Sequence, residues 1–260
     1  MEADVFDWEK APQMSVVQLL LATFIPSAVA FIGFHVVLPA LVANGIPVLI
    51  AWPSVASVML LGLVIIALFL LLKEAKTLGI SLRARLCLKR LSLKEWGLYI
   101  AIMLLGLLAS FGAQGLVPPF MRVVGLTVPS YMPFFLNPAL NPTTTDMSIL
   151  SPGLPLQGSY GLLPLIGITL LLNILTEELY FRAWIIPKLA RYGTWGWVMN
   201  GILFALYHTF QIWLLPTLLV ASLFFAFVFY RSKSVWPPFA AHLIGNFLFS
   251  ILGILLLIAA

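Results

Sequence analysis

Charged residues are scarce in this sequence. Asp, Glu, Lys and Arg make up 9% of its 260 residues and hydrophobic residues make up 62%, against roughly 25% charged residues in an ordinary soluble domain. A water-soluble fold is therefore excluded. The single cysteine, Cys87, cannot form an internal disulfide. The net charge of +5 is typical of membrane-protein loops rather than of a nucleic-acid footprint, so we expect no nucleic-acid partner.

Long apolar runs separated by charges, Pro and Gly are what the sequence has in abundance. A bilayer-spanning helix needs about 20 apolar residues, and continuous runs without period-two alternation predict helices rather than a barrel. The sequence therefore predicts an all-α fold, a polytopic transmembrane bundle of about seven spans. The predicted spans are residues 16–42, 54–72, 96–117, 162–186, 195–210, 212–230 and 236–258.

Basic residues cluster between the second and third predicted spans, which makes this loop cytoplasmic. Threading from there puts the amino terminus inside. We expect an integral protein of a prokaryotic cell membrane with membrane lipid as a partner, and we attribute the basic loop to topology and headgroup attraction. Its basic residues are Lys73, Lys76, Arg83, Arg85, Lys89, Arg90 and Lys94.

Three regions follow from this layout. Residues 1–117 form an amino-terminal three-span region with the basic loop, 118–161 a Pro-rich extracytoplasmic segment, and 162–260 a four-span core. The middle segment holds eight prolines between Pro118 and Tyr160, so it cannot be a spanning helix. We interpret it as an interfacial lid or a partner surface; an extended loop resting on the bilayer is the alternative.

Ionisable residues cluster inside the predicted spans of the core. Each costs about 2.5 to 3.5 kcal/mol at the bilayer centre, so such a cluster indicates function. These side chains must face a polar cavity between helices. The ionisable residues are Glu177, Glu178 and Arg182 in the fourth span, Tyr207 and His208 in the fifth, and His242 in the seventh, and the neutral polar residues Asn173, Thr176 and Asn246 accompany them.

Helical spacing assigns different roles to the two acids. Glu178 and Arg182 are i and i+4, so we expect an ion pair that orders the site. Glu177 points about 100° away and shares a face with Asn173. Glu177 is therefore the candidate general base.

The histidines come from two other helices. His242 and Asn246 are again i and i+4, which lets one helix present two donors to a single point. At 1.5 Å per residue, Glu177, His208 and His242 lie roughly 13, 20 and 10 Å from the inner ends of their spans. These depths overlap within the error of the boundaries, so we expect one site.

A carboxylate and a neutral imidazole beside a water can remove its proton, while paired donors hold the oxyanion of a tetrahedral intermediate. This set suits amide hydrolysis without a covalent nucleophile. Alternatively, Glu177, His208 and His242 could ligate Zn²⁺ or another divalent metal. Other proteolytic schemes lack their residues, since the sequence has no His-Glu-x-x-His, no Gly-x-Ser-x-Gly and no Asp in a predicted span.

Three motifs resemble those of one family, the CAAX protease and bacteriocin-processing (CPBP or Abi) family. The run from Glu177 to Arg182, EELYFR, resembles Glu-Glu-x-x-x-Arg. Phe204 to His208, FALYH, resembles Phe-x-x-x-His, and His242 to Asn246, HLIGN, resembles His-x-x-x-Asn. The resemblance covers about residues 162–250.

The resemblance implies an intramembrane endopeptidase that acts on a membrane-associated peptide or protein. Glu177 and His208 would activate water, and His242 with Asn246 would stabilise the oxyanion. The family is described both as metal-dependent and as a glutamate type without metal.

Glu178 and Arg182 would order this site. The charge of Arg182 so close to the acids disfavours a dication, so we favour the glutamate type with no cofactor. Only a short tail follows Asn246, so we expect a final helix of prenyl-processing relatives to be missing, which weakens the case for a prenylated substrate. Two other hypotheses remain: a catalytically idle scaffold subunit that binds a partner in a larger membrane complex, and a proton-coupled carrier.

Overall fold

Helices account for the secondary structure of residues 6–259, which are the residues that the computed structural model describes. The ends of the first and last predicted regions, at residues 1 and 260, lie outside this range. The helices are α1 (Val16–Ala43), α2 (Val48–Leu78), α3 (Leu82–Arg85), α4 (Leu93–Gln114), α5 (Val117–Val124), α6 (Met147–Leu150), α7 (Leu162–Tyr192), α8 (Trp195–Tyr207), α9 (Leu215–Ser232) and α10 (Trp236–Ala259), with short 3-10 turns at Trp8–Lys10, Phe134–Leu136 and Thr209–Leu214.

The predicted all-helical transmembrane fold is confirmed. Within residues 6–259, six helical segments are long and apolar enough to cross a membrane: α1, α2, α4, α7, α9 with its preceding turn, and α10. The remaining predicted span is α8, which has 13 residues and is about 20 Å long at 1.5 Å per residue. It is shorter than the roughly 30 Å hydrocarbon core, so the count is six long helices and one short one.

Helix α2 is longer at both ends than the predicted span of residues 54–72. It begins at Val48 and includes Pro53, and the Ser54 hydroxyl donates to the Ile50 carbonyl at 2.7 Å. It ends at Leu78, and the next residue, Gly79, has a φ of 64° and forms the left-handed C-cap that glycine adopts readily. The prediction ended the span where charges begin, but a charge ends the apolar run and not the helix.

Small hydroxyl side chains join α2 to α7, the helix that carries the acidic pair. Thr169 donates to the Pro53 carbonyl at 3.1 Å and lies 2.8 Å from the Ser57 hydroxyl. Thr176 donates to the Leu60 carbonyl at 3.1 Å. Such residues let helix backbones approach closely in a membrane, so the amino-terminal region packs directly against the core.

The geometry of α7 changes twice along its length. It is α-helical over Leu162–Thr176, π-helical over Glu177–Ile185 and 3-10 over Ile186–Tyr192. Pro187 lies at the start of the 3-10 part, where its missing N–H removes a regular helical hydrogen bond. The acidic pair therefore stands at the junction between α and π geometry, an arrangement frequent at functional sites.

The Pro-rich segment between α4 and α7 forms short helices and turns. Two of its residues, Phe135 and Leu136, line the cavity that contains the acidic pair. The Trp213 indole donates to the Leu136 carbonyl at 2.8 Å, which fixes this part of the segment to the turn before α9. The segment thus covers part of the cavity, while its role as an interfacial lid or a partner surface stays a prediction.

Close packing of α8 against α9 depends on Gly201. A Cβ at this position would lie 3.1 Å from the Leu223 Cα and 3.3 Å from the Ser222 carbonyl oxygen, whereas a Cβ at Gly62 meets nothing within 4 Å. We expect Gly201→Ala to lower the free energy of unfolding by about 1–3 kcal/mol relative to Gly62→Ala, because the gain in helix propensity is common to both. Thermal unfolding in detergent measures this; equal midpoints would contradict the packing argument.

Candidate active site

Glu177 is held by a residue of its own helix one turn earlier. The Asn173 Nδ2 donates to Glu177 Oε1 at 2.7 Å, as the shared face predicted. The carboxylate is buried, with 7% of its side chain exposed. Asn173 thereby orients the carboxylate and leaves its other lone pairs for further partners.

His208 caps the short helix α8 and faces Glu177. Its Nδ1 lies 2.9 Å from the Phe204 carbonyl oxygen, and since a carbonyl only accepts, Nδ1 carries the proton. Its Nε2 lies 3.8 Å from Glu177 Oε1. In the neutral imidazole this Nε2 is an acceptor that points toward the carboxylate, so one small polar molecule could contact both groups.

His242, at the first turns of α10, lies between the two acids. Its Nδ1 lies 2.7 Å from Glu178 Oε1, and its Nε2 lies 3.3 Å from Glu177 Oε2. Because ionised carboxylates only accept hydrogen bonds, an imidazolium can serve both at once. His242 therefore links the two acids across helices.

The predicted ion pair of Glu178 with Arg182 is wrong as a hydrogen-bonded contact. Glu178 Oε1 binds His242, while Glu178 Oε2 and all three Arg182 guanidinium nitrogens have no hydrogen-bond partner within residues 6–259. The i, i+4 rule assumes α geometry, but both residues lie in the π-helical part of α7. Arg182 instead stacks on the ring of Phe204, with its Cζ 3.9 Å from the centroid.

Asn246 does not converge with His242 as two free donors. It lies in the π-helical turn Leu243–Leu248, is only partly buried, and lines the cavity beside His242. Both His242 nitrogens already face carboxylates. The expected donor pair is therefore incomplete on the histidine side, whereas the Asn246 amide stands at the cavity wall.

A cavity of about 600 Å³ runs alongside these groups, within the 300–1,000 Å³ range of ligand pockets. Its wall is mostly apolar. Glu178 stands behind His242, outside the lining. The polar residues of the cluster that line it are Asn173, Glu177, Arg182, Tyr207, His208, His242 and Asn246.

Exposed apolar side chains of α4 and α10 form one side of the cavity. Ile100, Leu104 and Phe111 of α4 and Ile244 of α10 all line it and are each more than half exposed. Exposed apolar side chains on membrane-spanning helices face lipid. This side of the cavity therefore faces lipid.

The family comparison covers the helices that carry this cluster. Residues 159–248 match the family model described as type II CAAX prenyl endopeptidase Rce1-like. This segment is an Rce1-like domain of the CPBP family. Among curated proteins and among solved structures there is no significant match. The recognised resemblance is thus confirmed for residues 159–248, while residues 1–158 and 249–260 lie outside the matched range.

The side chains of the Rce1-like domain do not form a metal centre in the described part of the chain. In the part of the chain from residue 6 to residue 259, no group of three or more His, Cys, Asp or Glu side chains is arranged to hold a metal ion. The three residues named for this alternative, Glu177, His208 and His242, also share their cavity with the buried cation of Arg182, whose charge opposes a dication. The donor set in this arrangement does not fit a metal.

Two residues that support the Rce1-like domain were missed as such in the sequence. Arg85 was counted among the residues of the basic loop, and Glu74 was not singled out. Arg85 is fully buried and contacts both Glu74 and the backbone of α7. The only sequence signal was an acid inside a basic stretch, which does not identify its partner.

The charge of Arg182 is coupled to the acids without a hydrogen bond. We expect Arg182→Met to destabilise the fold by about 3–5 kcal/mol, because buried carboxylates lose a compensating charge. The double variant Arg182→Met with Glu178→Gln should lose less free energy of unfolding than the two single variants lose in sum, by at least about 0.5 kcal/mol. Unfolding of all four proteins in detergent gives this coupling; strict additivity would refute it.

Proposed function

We propose that this protein is an intramembrane endopeptidase that hydrolyses a peptide bond of a membrane-associated substrate with water activated by Glu177 and His208. The observation that carries the proposal is the position of Glu177 between two imidazoles on the wall of an apolar cavity that faces lipid on one side. The family match supports the reaction class.

The attacking water would bind between Glu177 and His208. A water oxygen about 2.8 Å from both Glu177 Oε1 and His208 Nε2 satisfies normal hydrogen-bond lengths, since these atoms are 3.8 Å apart. Glu177 takes the proton of the water, and the oxygen forms a bond to the carbonyl carbon. Asn173 keeps the carboxylate aimed at this point through its 2.7 Å hydrogen bond.

The tetrahedral intermediate carries a negative oxygen that needs donors. Because His242 faces two carboxylates, we assign this role to the Asn246 amide and the unpartnered Arg182 guanidinium, which line the same cavity. Collapse of the intermediate breaks the C–N bond. The proton held by Glu177 passes to the leaving amine, which restores the carboxylate.

The apolar wall of the cavity favours an apolar substrate segment beside the scissile bond. The family description names prenyl endopeptidases, and a prenyl chain is such a segment. Contrary to the expectation from the sequence, which disfavours a prenylated substrate, we therefore propose a lipidated peptide as the preferred substrate class, with an unmodified membrane-spanning peptide as the alternative that the tests below separate.

Removal of the base tests the mechanism. We expect Glu177→Gln to lower kcat/KM for a membrane-tethered peptide by roughly 100- to 10,000-fold, because the amide cannot accept the proton. Glu95→Gln is the matched control, since Glu95 caps the start of α4 and pairs with Lys89 but does not line the cavity. The assay is cleavage in lipid vesicles with the folded fraction measured in parallel. Undiminished cleavage by the Glu177→Gln protein would reject the mechanism.

Filling the cavity tests the substrate class. Ala221 of α9 lines the cavity, whereas Ala101 of α4 is exposed and outside the lining. We expect Ala221→Trp to raise KM for a prenylated peptide by roughly tenfold or more, which corresponds to about 1.4 kcal/mol, and Ala101→Trp to leave it unchanged. An equal KM for prenylated and unmodified peptides with the native protein would exclude recognition of the lipid.

A further inference from the structure

A buried ion network joins α2, α3 and the second half of α7. Glu74 Oε2 accepts from Arg85 Nε at 2.9 Å and from Arg85 Nη2 at 2.6 Å. Glu74 Oε1 accepts from the Trp184 indole at 3.0 Å and from the Lys188 ammonium. The Arg85 side chain is fully excluded from solvent. Burial of such a network costs desolvation free energy unless every charge is paired, so its burial needs a structural explanation.

The backbone of α7 explains why Arg85 is buried at this place. Pro187 has no N–H, so it cannot donate to Ala183 as an α-helical residue would, or to Trp184 as a 3-10 residue would. Arg85 donates to these same two carbonyls, from Nη1 to Ala183 at 2.6 Å and from Nη2 to Trp184 at 3.2 Å. The guanidinium fork thus replaces the donor that Pro187 lacks.

We infer that Arg85, held by Glu74, is a positioning residue for the acidic pair; this inference rests on the proposed function. Ala183 follows Glu178 by five residues, the spacing of a π-helical hydrogen bond. Fixing the Ala183 and Trp184 carbonyls therefore fixes the π-helical turn that carries Glu177 and Glu178. Arg85 acts through α7 because it is not among the residues that line the cavity.

The kinetic test uses Arg85→Met in the full-length protein in lipid vesicles. This variant leaves Glu74 paired with Lys188, so no buried charge loses its only partner. We expect kcat per folded molecule to fall roughly 10- to 100-fold, as for a displaced catalytic group, with KM unchanged. Arg83→Met, two residues away on the exposed side of α3, is the control and should keep the native kcat.

A second pair of variants tests the route through the carbonyls. Pro187→Ala added to Arg85→Met restores a backbone N–H, so the double variant should recover a large part of the lost kcat. Arg85→Lys keeps the charge but lacks the fork, and it should lie between the native protein and Arg85→Met. This variant also serves if Arg85→Met fails to fold. Identical kcat values for Arg85→Met with and without Pro187→Ala would overturn the inference.

A spectroscopic readout separates this inference from the proposed function. The ¹⁵N imidazole signals of His242 report its contact with Glu178, and we expect Arg85→Met or Arg85→Lys to shift them while Arg83→Met does not. If the native protein cleaves no peptide but these signals shift, the proposed function fails and the positioning role stands. Unchanged His242 signals, or activity lost only in proportion to unfolded protein, would overturn the positioning role.

Discussion

A lipid bilayer offers no water to a free backbone group, so every departure from regular helix geometry inside it needs a partner from elsewhere. Helix α7 changes from α to π geometry at Glu177 and from π to 3-10 geometry at Ile186. The acidic pair lies at the first of these changes. Backbone carbonyl oxygens in this part of α7 accept hydrogen bonds from side chains of other elements. Asn200 donates to the Phe181 carbonyl at 2.9 Å, and Arg85 donates to the carbonyls of Ala183 and Trp184. The position of Glu177 and Glu178 thus depends on side chains of α3 and α8, which lie elsewhere in the sequence.

The same device joins α7 to the first helix. Pro26 lies inside α1, and its missing N–H would have served the carbonyl of Ala22. Tyr180, from the π-helical part of α7, donates to that carbonyl at 2.9 Å. The amino-terminal region lies outside the matched family segment, yet it contacts the acid-bearing turn through this bond as well as through Arg85. The amino-terminal region therefore helps to hold the acid-bearing turn in place.

Sequence reasoning succeeded where α geometry holds and failed where it ends. Asn173 and Glu177 lie four residues apart at the end of the α-helical part, on the face that the sequence assigns to both, and they form a hydrogen bond. Glu178 and Arg182 have the same spacing inside the π-helical part and do not. The three motifs predict that three helices meet at one site, but no local sequence pattern predicts a change to i→i+5 hydrogen bonding. The role of Arg85 depends on a proline a hundred residues away in the chain, so it required the structure.

The charges of the site suit the proposed reaction because their sum does not change. Two carboxylates share this low-dielectric site with the Arg182 cation, whose opposite charge compensates part of theirs. When Glu177 takes a proton from water and the substrate oxygen becomes negative, one carboxylate charge disappears as one oxyanion charge forms. The charge therefore moves toward Arg182 and Asn246 without adding to the buried total. Oriented donors that await such a shift need no reorganisation at the moment of reaction, which is the main source of electrostatic catalysis.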